Sequence, residues 1–176
     1  MIKNIIENVR LKLMNPSEKA LFYKEKKNMN IGEECQIFND VSFGSEPYLI
    51  KIGDKVKITA GTQFVTHDGG VEVLRNLEML PNADLFGQIH IGSNVFIGNK
   101  CIILPGVTIG DNVIIGAGSV VTKNINSNSV CAGVPAREIR TLDEYYSKNK
   151  DRADYTKSFS YEKKKEYLIE KFKIGR

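Results

Sequence analysis

The chain has 176 residues, 41% of them hydrophobic and 26% charged, a composition typical of one folded domain rather than of a disordered chain. No apolar run reaches the roughly 18 residues of a membrane span, and the N-terminus lacks the cleavage site of a signal peptide, so we expect a cytoplasmic protein with no membrane span. The net charge is +4, and the tail from Thr141 onward carries +3 of it, with ten basic and seven acidic residues. Without a concentrated basic face, the sequence does not predict a nucleic-acid partner.

The first predicted element is a short amphipathic helix over residues 2–14. Its apolar residues recur at helical spacing: Ile2, Ile5, Ile6, Val9 and Leu13. Residues 15–30 are charged, and we interpret them as a connection. Residues 1–30 therefore form the predicted N-terminal segment.

A six-residue repeat fills the predicted central domain, residues 31–140. From residue 91 each unit begins with a β-branched aliphatic residue: Ile91, Ile97, Ile103, Ile109, Ile115 and Val121. Upstream units begin at Ile31, Ile37, Ile52 and Ile58. This period fits neither a helix nor a continuous strand, but it fits a short strand followed by a tight corner. Gly and Asn, frequent at the fourth position of a unit, tolerate the positive φ of such corners.

Three units would make one triangular coil, and stacked coils would bury a continuous aliphatic column. The sequence therefore predicts a mainly β fold, a parallel β-helix of hexapeptide repeats. Cys35, Cys101 and Cys131 each occupy the fifth position of a unit. We interpret them as small buried thiols, and they form no metal-binding spacing.

One long loop interrupts the repeat, at residues 68–88. Long loops inside compact domains are often functional. From residue 141 to residue 176 the composition becomes helical and charged. We therefore predict a short helical C-terminal tail, in which Tyr161, Tyr167, Leu168 and Phe172 form a possible docking stripe.

The segment IGSNVFIGNKCIILPGVTIGDNVIIGAGSVVTKNINSNSVCAGVPAREI resembles the hexapeptide-repeat acyltransferases. The GAGSVVTK and AGVPAR endings are most similar to the branch of galactoside, maltose and capsular-polysaccharide O-acetyltransferases. The resemblance covers roughly residues 30–141. It implies that the β-helix is left-handed, and that the protein is a homotrimer with active sites between neighbouring subunits. It also implies acetyl-CoA as co-substrate and a sugar or polysaccharide acceptor.

The predicted catalytic residue is His67, in the sequence QFVTHDGG at the start of the long loop. A neutral imidazole can take the proton of an attacking hydroxyl near pH 7, and the TH motif at this place resembles the catalytic histidine of the family. Asp68 is predicted to orient the imidazole, although a turn-forming role in DGG is an open alternative. His90, the other histidine, is interpreted as a residue on a strand surface.

The resemblance also implies the residues of the acetyl-CoA site. Small residues would let the pantetheine chain approach the backbone, and basic residues would bind the phosphates. Phe96 stands where many relatives have Trp, so an aromatic wall is kept without the indole N–H. The predicted set is Phe96, Asn99, Gly116, Ala117, Gly118, Thr122, Lys123 and Arg137.

For the acceptor, Asn39 and Asp40 correspond loosely to an early region of sugar acetyltransferases in which an Asn contacts the sugar. Arg75 in the long loop is a further candidate for contact with the acceptor. For each of these residues, a turn or a solvated loop is an open alternative.

Other functions that fit the repeat are an N-acetyltransferase acting on an amino sugar and a β-helix scaffold without catalysis. A γ-type carbonic anhydrase needs three histidines on zinc, and this chain has two, so we expect no metal site.

Overall fold

The computed structural model describes residues 10–175. The predicted helix over residues 2–14 falls mainly on residues 1–9, which lie outside the described part of the chain. The chain divides into two compact units, Met1–Glu144 and Tyr145–Arg176. The limits at residues 30 and 140 that the sequence suggested stay predictions. Among the described residues, no helix is long and apolar enough to cross a membrane.

Helix α1 corrects the interpretation of residues 15–30 as a mere connection. It spans Pro16–Lys26. Asn15 caps its N-terminus by accepting hydrogen bonds from the backbone of Ser17 and Glu18, and the Glu18 side chain accepts from the backbone of Asn15 in return. This reciprocal capping, with Pro at the first helical position, stabilises a helix start. The sequence NPSE contains this capping signal. The segment was interpreted as a connection because its apolar residues do not recur at helical spacing.

The first unit is a β-helix with three faces, each a ladder of short parallel strands. The first face consists of β1 (Asn30–Ile31), β3 (Ile50–Ile52), β6 (Ile89–Ile91) and β9 (Thr108–Ile109). The second face consists of β2 (Gln36–Ile37), β4 (Lys57–Ile58), β7 (Phe96–Ile97), β10 (Ile114–Ile115) and β12 (Ser129–Gly133). The third face consists of β5 (Gln63–Phe64), β8 (Ile102–Ile103) and β11 (Val120–Val121).

The hydrophobic core is the column of first-position residues that the repeat predicted. From Ile91 to Val121 each of them is at most 3% exposed. Corresponding strands of successive coils pair in register, for example Ile58 with Ile97 and Ile97 with Ile115. Stacking in register therefore buries at least one residue of every parallel strand, and the prediction of a β-helix is confirmed.

Most corners of the coil have the backbone that the fourth position of the repeat predicted. Asn94, Lys100, Gly106, Asn112 and Gly118 all have positive φ, between 56° and 79°. Asn124 does not, and its Oδ1 accepts a hydrogen bond from the Thr108 N–H at 2.8 Å. The side chain thus caps a backbone group at a corner where the last coil ends.

The cysteines are buried and not in disulfides. The Cys101 thiol donates to the Gly116 carbonyl at 3.2 Å, and burial raises the pKa of all three thiols. Beyond the last coil, β13 (Ala136–Thr141) folds back antiparallel on β12. Two helices follow, α3 (Leu142–Asn149) and α4 (Tyr161–Phe172). Helix α2 (Val71–Asn76) lies inside the long loop.

Candidate active site

His67 lies where the third face ends and the long loop begins. It forms an isolated antiparallel bridge with Phe86, at the point where the loop returns. The two rings meet edge to face with their centroids 6.4 Å apart. The preceding residue, Thr66, is fully buried, whereas the imidazole side chain is 46% exposed. The backbone is therefore held in the coil while the ring faces solvent.

A carboxylate that the sequence analysis missed contacts this imidazole. Nδ1 of His67 is 3.2 Å from Oε2 of Glu46, and the Thr66 hydroxyl donates to the same oxygen at 2.7 Å. The Glu46 side chain is only 17% exposed. Hydrogen bonds from Thr66, Ser45 and His67 lower the pKa of Glu46. Because the carboxylate stays ionised, it can accept a hydrogen bond from Nδ1–H and leave Nε2 free to act as a base.

The register of the β-helix explains why Glu46 lies beside His67. Ser42 pairs with Gln63, a separation of 21 residues, and Glu46 and His67 are separated by the same number. Both are the fourth residue of a unit that begins with Phe, at Phe43 and Phe64. They therefore occupy equivalent positions in successive coils, about 4.8 Å apart along the stack. The units FGSE and FVTH share their first residue, but only the register shows that they lie in successive coils.

Asp68 was predicted to contact the His67 imidazole, but its carboxylate contacts the backbone of Gly70. Its Oδ1 accepts a hydrogen bond from the Gly70 N–H at 2.8 Å, just before α2. This is the geometry of the turn-forming alternative, and orientation of His67 by Asp68 stays a prediction. His90 lies on β6 of the first face, with Nε2 3.2 Å from the Gln88 side-chain oxygen.

The long loop is held together by Arg75. Its guanidinium donates to Glu72 at 2.5 and 3.0 Å, to Asp84 at 2.8 Å and to the Ala83 carbonyl at 2.5 Å. The loop also closes on the coil, because the Gly87 N–H donates to the Thr66 carbonyl at 2.8 Å. In this structure the guanidinium links the two ends of the loop, and contact with an acceptor stays a prediction.

The predicted acceptor residues line a cavity at the opposite edge of the third face. Asn39 and Asp40 border a space of about 250 Å³ together with residues of α1, among them Lys19 and Tyr23. Lys19 is 5% exposed, and its ammonium donates to Asn39 Oδ1. Because an ammonium only donates, this contact directs the Asn39 amide oxygen to Lys19 and leaves the amide N–H groups for another partner.

Half of the predicted donor residues share that edge. Asn99 and Ala117 lie at equivalent positions of successive coils, since β7 and β10 pair in register. The Gly118 N–H donates to the Asn99 carbonyl at 2.8 Å. A side chain at Gly98 would come within 2.5 Å of the Ala117 nitrogen, so the two coils lie very close at this corner. We call this edge the glycine edge; it comprises residues 39–40, 60–61, 99–100 and 116–118.

The remaining donor residues lie on two other parts of the β-helix. Thr122 and Lys123 follow β11 on the same edge as His67, which we call the histidine edge; it comprises residues 66–67, 105–106 and 122–124. Lys123 and Arg137 line one cavity of about 250 Å³. Phe96 is 40% exposed on the second face and borders a different cavity, with Lys55 and Lys57. The structure therefore brings Lys123 and Arg137 together and separates Phe96 from both.

Within one chain, His67 and the small residues of the glycine edge lie at opposite edges of one face. His67 and Lys123 lie on the histidine edge, and Asn99 and Gly116–Gly118 lie on the glycine edge, with β5, β8 and β11 between them. Gly106, at the position equivalent to His67 one coil further, has no side chain and open space around it. The imidazole thus has free space on the side away from Glu46.

Comparison with known proteins agrees with the fold and the motifs. Residues 88–123 match the family model for the bacterial transferase hexapeptide (six repeats). Protein CapG of Staphylococcus aureus is 49% identical over 170 residues, 94% of this chain and 96% of that protein. The galactoside O-acetyltransferase of Escherichia coli (strain K12) is 38% identical over 147 residues, 82% of this chain and 67% of that enzyme.

A solved structure with a related fold carries a bound ligand. It is a galactoside acetyltransferase in complex with coenzyme A, with a TM-score of 0.51 and 30% identity over 90% of this chain and 86% of that one. The repeat, the β-helix and these relatives agree with one another. The chain therefore belongs to the hexapeptide-repeat acyltransferase family and is an acetyltransferase.

Proposed function

We propose that the protein transfers the acetyl group of acetyl-CoA to a hydroxyl group of a sugar, with His67 as general base. The contact between His67 Nδ1 and Glu46, at 3.2 Å beside an open stretch of the histidine edge, carries this proposal. The 38% identity to a galactoside O-acetyltransferase supports a sugar hydroxyl as acceptor. A polysaccharide acceptor and a cytoplasmic location, which the sequence suggested, are part of the same proposal.

The proposed reaction is a direct transfer. Nε2 of His67 takes the proton of the acceptor hydroxyl while the oxygen attacks the thioester carbonyl carbon. Backbone N–H groups stabilise the negative charge on the carbonyl oxygen. The carbon–sulfur bond then breaks, and the imidazolium returns the proton to the leaving thiolate, so that the products are the acetyl ester and free coenzyme A. The buried cysteines take no part.

Glu46 has two functions in this mechanism. By accepting a hydrogen bond from Nδ1–H it selects the tautomer in which Nε2 is unprotonated. Its negative charge also stabilises the imidazolium that forms when the hydroxyl proton is taken. The lowered pKa of Glu46 favours both functions, because the carboxylate stays charged at neutral pH. We therefore propose Glu46, in place of Asp68, as the orienting residue.

The chain offers two groups that suit acetyl-CoA. Lys123 and Arg137 border one cavity and could bind the phosphates by charge and by bidentate hydrogen bonds. The small residues of the glycine edge leave the backbone open to the pantetheine chain. Binding of coenzyme A by a 30% identical acetyltransferase supports this assignment. We also propose that Thr122, adjacent to Lys123, makes a minor contact with acetyl-CoA. Phe96 is proposed to contact acetyl-CoA from the second face.

We propose a homotrimer of left-handed β-helices in which each site forms between two copies. In one chain the third face separates His67 from the small residues of the glycine edge. If the histidine edge of one copy meets the glycine edge of the next, the base, the donor groove and the acceptor residues Asn39 and Asp40 come together. Three such contacts close a ring, as heterologous interfaces do in cyclic oligomers.

The test is release of the coenzyme A thiol from acetyl-CoA with a panel of neutral sugars, amino sugars and acidic sugars. Product analysis separates an ester from an amide and thus O-acetylation from N-acetylation. We expect His67→Ala to lower the rate about a hundredfold or more with the true acceptor, the usual contribution of a general base. His90→Ala is the matched control and should keep its activity. A rate unchanged in His67→Ala would exclude this mechanism.

A further inference from the structure

The C-terminal unit, Tyr145–Arg176, carries a charge opposite in sign to that of the rest of the chain. It contains ten basic and five acidic residues, a net charge of +5, and the remaining residues have 15 basic and 16 acidic, a net charge of −1. The two values sum to the total of +4. Such asymmetry between parts of a chain indicates that the basic part contacts an anionic surface.

One side of helix α4 contacts other residues of the same unit. The Tyr167 hydroxyl donates to Asp154 at 2.5 Å, and the Lys171 ammonium contacts the same carboxylate. The rings of Phe159 and Tyr167 meet edge to face, with centroids 6.2 Å apart, and the Lys163 ammonium lies 4.3 Å from the Phe159 ring centroid. Residues 154–159 therefore cover the side of α4 that bears Lys163, Tyr167 and Lys171.

The other side of α4 bears an apolar stripe that is exposed to solvent. Tyr161 is 78% exposed, Ile169 is 39% exposed and Phe172 is 62% exposed. Their spacing of eight and three residues places them on one side of the helix, with Leu168 between them. Ile174, just beyond the helix, is 61% exposed and extends the stripe.

Charged residues lie both within and beside this stripe. Lys165 lies within it, four residues from both Tyr161 and Ile169, and Lys164 lies beside it; both lysines are exposed. Glu162, Glu166 and Glu170 are spaced by four residues and form a row on the side of the stripe away from Lys164. An amphipathic helix with aromatic and aliphatic residues on one side and lysines beside them is typical of helices that lie in the interface of a membrane.

We propose that α4 binds the surface of an anionic lipid bilayer, with Tyr161, Ile169 and Phe172 in the interface and Lys164 and Lys165 at the lipid phosphates. Two other partners of α4, a second copy of the chain and a nucleic acid, fit less well. A second copy would bring another unit of charge +5 against the first. The phosphates of a nucleic acid would pair with the lysines, but the apolar stripe would stay exposed to water. This proposal does not depend on the catalytic residues.

The experiment is co-sedimentation of the full chain with vesicles of phosphatidylcholine alone and of phosphatidylcholine mixed with phosphatidylglycerol. We expect binding to the anionic vesicles only, and weaker binding as the salt concentration rises. Lys164→Gln with Lys165→Gln should weaken binding about thirtyfold at low salt, since each lysine near an anionic surface contributes about fivefold. Ile169→Ser with Phe172→Ser should weaken it about tenfold or more.

Leu13→Ser is the matched control, because Leu13 is an 83% exposed apolar residue outside the C-terminal unit. It should bind like the wild type, and circular dichroism should show that all variants are folded. Equal binding to both kinds of vesicle, no binding to either, or full binding by the Ile169→Ser, Phe172→Ser variant would each overturn the proposal. A change of oligomeric state in that variant without loss of vesicle binding would assign the stripe to a copy–copy contact instead.

Discussion

At the scale of single residues, the imidazole of His67 depends on a partner from the preceding coil. A histidine at a solvent-exposed edge can adopt either neutral tautomer, and only the form with unprotonated Nε2 can act as the proposed base. Glu46, with Thr66 donating to the same oxygen, is held in place to accept a hydrogen bond from Nδ1–H. The proposed reactivity of His67 therefore depends on an ionised carboxylate 21 residues upstream.

Replacing Glu46 by Gln keeps the shape of the side chain and removes its charge. We expect kcat to fall by about tenfold to a hundredfold, because the imidazolium loses its stabilising charge. Because the pKa of Glu46 is lowered, the carboxylate is charged at neutral pH, so the substitution removes a negative charge beside the ring there. Steady-state kinetics with acetyl-CoA and the identified acceptor measures the loss of kcat.

The matched control for Glu46→Gln is Asp68→Asn, which keeps an oxygen for the Gly70 N–H. It should retain the wild-type kcat. If Asp68→Asn lowers kcat and Glu46→Gln does not, Asp68 is the orienting residue and our assignment is wrong.

At the scale of elements, the long loop is an ordered insertion. Helix α2 lies within it, and Arg75 links Glu72 on that helix to Ala83 and Asp84 on the returning segment of the loop. The loop ends at Phe86, whose ring meets His67. Disorder in the loop would therefore remove a wall of the proposed site.

Arg75→Ala should loosen this loop without unfolding the coil. Exposed Leu77, Met79, Leu80 and Phe86 lie within it and are sites for chymotrypsin. We expect cleavage between residues 77 and 86 to become about tenfold faster, because the charged hydrogen bonds that close the loop are lost. Mass spectrometry of the fragments locates the cut. Lys51→Ala, an exposed change on β3, should leave the rate unchanged, and an equal rate in Arg75→Ala would show that the guanidinium does not hold the loop.

At the scale of the whole molecule, the proposed site needs two copies of the chain. The histidine edge holds the base and Lys123, whereas the glycine edge holds the small residues proposed for the pantetheine chain. The two edges are the two borders of the third face, and the strands of that face lie between them. An interface between copies is therefore the simplest way to bring both sets of residues to one substrate.

Mixing two inactive variants tests this shared site. His67→Ala removes the base, and Ala117→Phe blocks the exposed glycine edge. After the two are unfolded together and refolded in equal amounts, random trimers should recover about a quarter of the wild-type activity, because each mixed ring contains one interface with both edges intact. Light scattering checks that trimers form. No recovery in mixed trimers would mean that each site lies within a single chain.

The repeat and its corners could be predicted from the sequence because they depend on local preferences. Branched aliphatics at every sixth position can be buried only if each unit is a short strand, and Asn94 and Gly106 adopt the positive φ expected of them. The contact of His67 with Glu46 could not be found in the same way. The chain between the two residues departs from the period at residues 44–49, so their alignment appears only when the coils are stacked in register.

A six-residue period permits one kind of burial, so the β-helix, its buried column and the place of His67 at its edge follow from the repeat. Three features follow only from the folded chain: the carboxylate that reaches the imidazole, the closure of the loop by Arg75, and the division of the predicted donor residues among two edges, the second face and β13. These depend on distances between residues from different coils. The register between strands of successive coils and the turn of the backbone at each corner set these distances. The sequence of a single repeat unit does not specify them.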